Sequence, residues 1–245
     1  MQPAIPRLST TVLLIRDRSG LEVLMVERHE GAYFGSALVF PGGIVDEEDR
    51  SPKWLGLATG GEDLSDEERA IRIAGYRELH EETGLLLAAG VATEVKPSTE
   101  AGFFAQVKAM AAPIDLAAMH PFAHWITPEM SPKRYDTHFR LCGLTTEVVA
   151  VSDGRETVSA DWLRPADALE LGRSGERKVL FPTRLNLELL AQASSVDAAI
   201  EAARGRPVVT VSPRVERRPE GIYLTIRHDA GYGPAQEFTP VRPNS

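Results

Sequence analysis

The sequence predicts a layered α/β/α domain built on a mixed sheet. Three observations carry that expectation. Short Val- and Leu-rich runs alternate with longer helical stretches, the order expected of helices packed on a sheet. One helix carries recognisable signals at both ends. A chain of 245 residues, 43% hydrophobic, can bury a sizeable core without disulfide or metal staples.

The elements follow in order. Ser9 to Arg16 and Leu21 to Arg28 flank Asp17-Arg18-Ser19-Gly20 and read as a β-hairpin with a short turn. Ala37-Leu38-Val39-Phe40 is a third strand, stopped by Pro41-Gly42-Gly43. Residues 46–64 are acidic and contain glycine, and they read as a loop or an insertion. The clearest helix follows. Ser65 is its N-cap, with Glu68 at capping-box spacing, and Gly84 closes it in left-handed geometry. A second helical stretch runs near Thr99 to Ala112. Strand signals return at His124 to Ile126, Thr137 to Leu144, Glu147 to Val151 and Ser159 to Leu163. Helices are expected from Pro165, over Arg184 to Ala193, and over Val196 to Ala203. From Pro207 onward six prolines fall in 39 residues, with two short strand-like pieces. This segment reads as an extended arm or hairpin, packed on the core or on a second subunit. The expected division is a domain over 1–205, with its insertion at about 46–64, and a C-terminal Pro-rich extension over 206–245.

Composition excludes several classes. The formal net charge of −8 argues against non-specific nucleic-acid binding, which needs a basic face. A phosphorylated small substrate stays compatible, provided metal ions mask like charge. The single cysteine, Cys142, rules out an intramolecular disulfide framework and a Cys-rich zinc module. It sits in an apolar run and reads as an inert core residue. Apolar stretches such as Thr11 to Ile15 and Leu85 to Ala89 are far too short to span a bilayer. Met1 to Arg7 lacks a charged-then-apolar signal design, so a cytoplasmic location is expected.

The chemistry lies in Arg77-Glu78-Leu79-His80-Glu81-Glu82-Thr83-Gly84-Leu85. On a helix Glu78 is three and four residues from Glu81 and Glu82, so the three carboxylates share one face. They also occupy the C-terminal end, where the helix dipole disfavours anions. Such a locally unfavourable cluster makes sense if a hard divalent cation, bound through oxygen, sits between the side chains. A solvated surface face with an ordinary Arg77–Glu81 pair is the blander reading. It leaves the Gly-Gly turn, the capped helix and the closing Gly84-Leu85 unexplained as a set.

That set resembles the Nudix hydrolase family, whose box reads G-x5-E-x7-R-E-U-x-E-E-x-G-U with U a bulky aliphatic residue. The second half matches at Arg77, Glu78, Leu79, Glu81, Glu82, Gly84 and Leu85. Phe40-Pro41-Gly42-Gly43 is similar to the segment that leads into the family's box. The first half departs from the pattern. Gly43 to Arg77 spans 34 residues where the pattern has 14, an excess of 20. Counting back from Arg77 finds Asp63 at the glycine position and Arg69 at the first glutamate. Glu68, Asp46 and Glu47 are the acidic neighbours, and Glu68 reads as a plain capping residue. A long insertion here is similar to one Nudix subgroup, which includes the peroxisomal coenzyme A diphosphatases. Arg134-Tyr135-Asp136-Thr137 and Glu156 to Trp162 look like that subgroup too.

The resemblance implies a Nudix-type sandwich that hydrolyses the diphosphate link of a nucleotide conjugate, with coenzyme A or its thioesters as the subgroup's substrates. It implies Mg²⁺ or Mn²⁺ held by Glu78, Glu81 and Glu82, a backbone carbonyl at Gly42 completing the coordination, and Arg77 holding a carboxylate in place. Glu156 is either a base, an extra ligand or an exposed loop carboxylate. Arg134 is either a phosphate clamp or a strand-edge charge beside Lys133. Trp54, Trp125 and Trp162 read as core or rim. His120 and His124 are four apart, but Pro121 disfavours the regular helix that would join them at zinc. The alternative to an enzyme is a catalytically silent domain that binds a nucleotide as a sensor. The partners expected are a small nucleotide conjugate and, through the Pro-rich arm, a second copy of the chain; no nucleic acid or membrane partner is expected.

Overall fold

The computed structural model describes residues 3–31, 35–88, 91–97, 102–152, 154, 156–233 and 235–240. Strand β1 (Arg7–Asp17) and β2 (Leu21–Arg28) form the expected hairpin, with Arg16 opposite Glu22. After β3 (Ala37–Val39) the chain does not stop at the glycines. It resumes as β4 (Gly42–Ile44), antiparallel to β1, because Gly42, where a Cβ would lie 2.3 Å from the Thr10 carbonyl oxygen, lets two backbones meet closely. The acidic segment beyond holds two short 3₁₀ turns, Glu48–Arg50 and Pro52–Gly56, and a two-residue strand β5 (Ala58–Thr59).

Helix α1 (Asp66–Thr83) begins where its cap requires. The Ser65 hydroxyl accepts the Glu68 N–H, and Gly84 ends the helix at φ 68° with its N–H on the His80 carbonyl. A hairpin of β6 (Leu85–Ala88) and β7 (Val91–Glu94) follows. Helix α2 (Gly102–Met110) covers part of the stretch expected at 99–112; residues 98–101 lie outside those described. Then come β8 (Ile114–Asp115), β9 (His120–Ile126) and β10 (Tyr135–Leu144). Glu147 to Val151, expected as a strand, is not one. The Val149 N–H donates to the Glu94 carboxylate and the Val151 N–H to the Thr83 carbonyl at the end of α1. Its backbone donors thus serve side-chain and helix-end acceptors rather than a ladder.

The remaining elements are β11 (Thr157–Leu163), α3 (Pro165–Ser174), β12 (Lys178–Val179), α4 (Phe181–Leu190), α5 (Val196–Arg204), β13 (Thr210–Val211), β14 (Arg214–Arg218), β15 (Gly221–Thr225) and β16 (Gln236–Pro240). The C-terminal segment holds more strand than its prolines suggest. β13 adds to the edge of the main sheet beside β9, and β14, β15 and β16 form a small antiparallel sheet. This segment packs on the core: Val211 and Ala230 are buried in it, and the Tyr232 hydroxyl bonds Trp125 and Asn186.

The main sheet runs β12-β3-β2-β1-β10-β9-β13, with β11 also on β2 and β4 also on β1. It is mixed, since β1 and β10 are parallel while β1 and β2 are antiparallel. β1 shows why the fold is a sandwich. Val12 and Leu14 enter the core with Ile73, Tyr76 and Leu79 of α1, whereas Leu13 and Ile15 enter the core with Leu185 and Leu187 of α4 and Ala199 of α5. Successive side chains of one strand therefore feed two cores. Among the described residues no helix is long and apolar enough to cross a membrane.

Candidate active site

Helix geometry and the C-cap bring the three carboxylates to one end of α1, where β4 crosses it. Glu78 and Glu82 are buried, Glu82 only 2% exposed, while Glu81 reaches toward solvent. One Glu82 oxygen (Oε2) accepts the Gly42 N–H at 3.0 Å. The other, Oε1, is buried with no hydrogen-bond partner among the described residues. A Cβ at Gly43 would lie 2.4 Å from the Glu78 carboxylate, so only glycine lets the chain pass this close.

Arg77 ties the cluster together. Its Nη1 donates to Glu78 Oε1 at 2.8 Å and to Glu81 Oε2 at 3.0 Å. Its Nη2 donates to the Ile44 carbonyl at 2.8 Å and to Asp49 Oδ2 at 2.9 Å, and its Nε donates to Asp49 Oδ1 at 3.0 Å. Asp49 is 1% exposed, and its carboxylate also accepts the Asp46 N–H. Burial alone would lower the affinity of Arg77 for its proton, but Asp49, Glu78 and Glu81 together hold it more firmly than an ordinary guanidinium.

Sequence reading missed Asp49, and the signal was present. Counting forward six residues from Gly43, rather than back from Arg77, reaches Asp49. The glycine-to-acid spacing of the box is thus kept with aspartate in place of glutamate, and the extra residues fall between Asp49 and Arg77. Glu68 stands elsewhere. It lies ten residues up the helix from Glu78, roughly 15 Å at the α-helical rise, and its carboxylate accepts from Arg72 and Arg140.

The electrostatics are those of a site with too much negative charge. Burial pushes Glu82 up to about 8, with Glu78 adding and Arg28 and the Gly42 N–H opposing. Burial pushes Glu78 up to about 7, opposed by Arg77 and reinforced by Glu81. Burial also raises Glu81 and Asp49. Carboxylates so placed hold protons unless a cation takes their place. The partnerless Glu82 oxygen and the all-oxygen donor set fit a hard divalent ion.

Arg77, Glu78, Glu81 and Glu82 line a cavity of about 1900 Å³. Glu156 lines it too, and its charge bears on Glu78, Glu81 and Glu82. Its neighbour Thr157 donates to the Glu82 carbonyl at 3.1 Å. Arg28, not singled out in the sequence, lines the cavity with its Nε buried and unpartnered among the described residues. Trp125, Phe181, Val215 and Leu224 add apolar lining, the last two from the C-terminal sheet. Arg134 is not among the lining residues. Its Nε donates to the Thr127 carbonyl and its Nη1 to the Ala4 carbonyl, which tie the ends of the strands together.

The blander readings hold for several other residues. Burial pushes the Cys142 thiol up to about 12, which keeps it inert. Trp54 is core, its ring tilted against Phe103 of α2 with centroids 5.5 Å apart. His80 is buried and bonded to Gln106.

Comparison with known proteins places this geometry in context. A family profile described as the NUDT19 Nudix domain matches residues 58–187, more than half of the chain. The chain is 27% identical to the human acyl-coenzyme A diphosphatase NUDT19, over 76% of this chain and 65% of that protein. It is also 27% identical to the chicken (Gallus gallus) protein of the same name, over 72% and 62%. It thus spans a little under two thirds of the length of these curated relatives. A crystal structure of a NUDIX hydrolase from Alicyclobacillus acidocaldarius superposes with a TM-score of 0.69 at 28% identity, covering 81% of this chain and 96% of that one.

Proposed function

The chain belongs to the Nudix family through the NUDT19 Nudix domain, and from that membership we propose that it hydrolyses the diphosphate link of coenzyme A or an acyl-coenzyme A. The observation that carries the reading is the partnerless Glu82 oxygen, buried beside Glu78 and Arg77 at the wall of a large cavity. A binding-only domain has no use for so costly a cluster.

In this reading Glu78, Glu81 and Glu82, with the Gly42 carbonyl, would hold Mg²⁺ or Mn²⁺. Bound there, the ion would neutralise the diphosphate and make a water more acidic. Arg77, anchored on Asp49, keeps Glu78 and Glu81 from turning away. Glu156 accepts the proton of the attacking water as its oxygen bonds phosphorus, the bridging P–O bond breaks, and two phosphomonoesters result. Arg28 faces the developing negative charge from the same cavity. The apolar lining of Trp125, Phe181, Val215 and Leu224 receives the leaving half. Arg134 acts by holding the strand ends that frame the cavity.

The names of the relatives support the acyl-coenzyme A reading. The test is phosphomonoester release from coenzyme A, acyl-coenzyme A, ADP-ribose, NADH and dinucleoside polyphosphates, with Mg²⁺, Mn²⁺ or EDTA. Release from coenzyme A or its thioesters, lost in EDTA, is expected. No release from any of them replaces the enzyme by a nucleotide-binding module. Sedimentation of the same sample tells whether a second copy takes part.

A further inference from the structure

We propose that His124, Asp136 and His138 form a second metal site, built for a late first-row transition ion such as Zn²⁺ and separate from the helix carboxylates. β9 and β10 are antiparallel, and His124 stands directly opposite His138. Asp136 precedes His138 by two, so the strand's alternation puts both on one face. Cross-strand partners sit close enough for their side chains to share a ligand.

The side chains converge. The two imidazole rings stack with centroids 4.1 Å apart. His124 Nε2 touches Asp136 Oδ1, and His138 Nε2 lies 3.6 Å from the same oxygen. One ligand atom from each residue falls within 4.8 Å of the others. Two ligands of a tetrahedral zinc ion, each at about 2.0–2.1 Å, stand roughly 3.3 Å apart, so small rotations complete the set. Two imidazoles and one carboxylate suit Zn²⁺, Ni²⁺ or Cu²⁺, whereas an all-oxygen set suits Mg²⁺.

The surroundings support ligation. His124 Nδ1 lies 2.8 Å from the Thr210 hydroxyl on β13. That contact can fix the ring and leave Nε2 for a metal, the usual outer support of a histidine ligand. The nearest cation, Arg140, has Nη2 at 3.5 Å from His138 Nδ1, but it also donates to Glu68 at 2.6 Å. Glu68 offsets part of its charge, and the remainder opposes a positive charge on His138. The three side chains are 19–30% exposed, enough for an ion to enter and keep a water. The alternating neighbours Trp125 and Thr137 line the large cavity, whereas His124, Asp136 and His138 are not among its lining residues.

The sequence could not show this pairing. Spacing matched His124 with His120, whereas the strand register matches it with His138.

The experiment uses tag-free, metal-stripped full chain titrated with Zn²⁺ by calorimetry and with Co²⁺ by visible absorption. The Glu78→Gln/Glu82→Gln double variant, which removes the carboxylate site, is expected to bind one ion with a Co²⁺ d–d band, and wild type to show the same band. His138→Ala is expected to lose that band and to bind Zn²⁺ more than about 100-fold more weakly, since loss of even an outer support costs ~10–100-fold. His124→Gln, which keeps volume and polarity, repeats the test should His138→Ala fail to fold by circular dichroism. The proposal is overturned if the histidine variants bind Zn²⁺ as wild type does, if the band vanishes only in the carboxylate variant, or if wild type binds none.

Discussion

Asp49 and Arg77 are 28 residues apart in the chain, yet Arg77 grips the Asp49 carboxylate through both Nε and Nη2. The pair joins the 3₁₀ turn Glu48–Arg50, just after β4, to the C-terminal end of α1, across the long insertion. Asp49 thereby sets where Arg77 points, and Arg77 sets where Glu78 and Glu81 point.

Removing Asp49 leaves a buried guanidinium without its main counter-charge. Asp49→Ala is expected to destabilise the fold by about 3–5 kcal/mol, the usual effect of breaking a buried pair. Chemical denaturation measures it. A loss under ~0.5 kcal/mol, the size of an ordinary surface change, would show that the pair does not hold the turn to the helix.

Glu82→Gln separates structure from chemistry. Glutamine mimics the protonated carboxyl that burial favours. The metal-free variant is therefore expected to melt no lower than wild type at pH 8, while turnover falls ~10²-fold or more. Wild-type turnover in the folded variant would remove Glu82 from the site.

Gly43→Ala places a methyl group against the Glu78 carboxylate. The carboxylate has to move, and a displacement of about 1 Å at a reacting centre can cost ~10²-fold. Steady-state kinetics should show a fall in kcat with the fold retained. Unchanged kcat would mean that Glu78 need not sit where it does.

The raised carboxyls make metal-free stability depend on pH. Glu78 and Glu82 hold protons in the folded chain up to about 7 and 8, whereas the unfolded chain releases them near 4.5. The folded form thus binds more protons between those values, and the stabilisation present below about pH 4.5 drains away as pH rises toward 8. In EDTA, this contribution should lower Tm across that window. Mg²⁺ should flatten the decline by standing in for the protons. A Tm that rises steadily with pH in EDTA and ignores Mg²⁺ would contradict the proposed charge balance.

Glu156→Gln tests the base. Loss of a general base lowers kcat by ~10²–10⁴-fold and removes the acidic limb of the pH–rate profile. A profile that keeps that limb assigns the proton transfer to another group.

What could be read from the letters alone was local. Ser65 and Gly84 bound α1 because capping is decided within one helical turn. The shared face of Glu78, Glu81 and Glu82 follows from helical spacing, and the β1–β2 hairpin from two apolar runs around a glycine turn. Contacts between distant segments escaped because nothing in the letters measures them. A long insertion hid Asp49 from a count that started at Arg77. The C-terminal prolines gave no hint that Val215 and Leu224 line the cavity, and His124 met His138 through strand register. Such partners are chosen by how the sheet orders its strands and buries its faces, a balance struck over the whole chain rather than within any stretch of it.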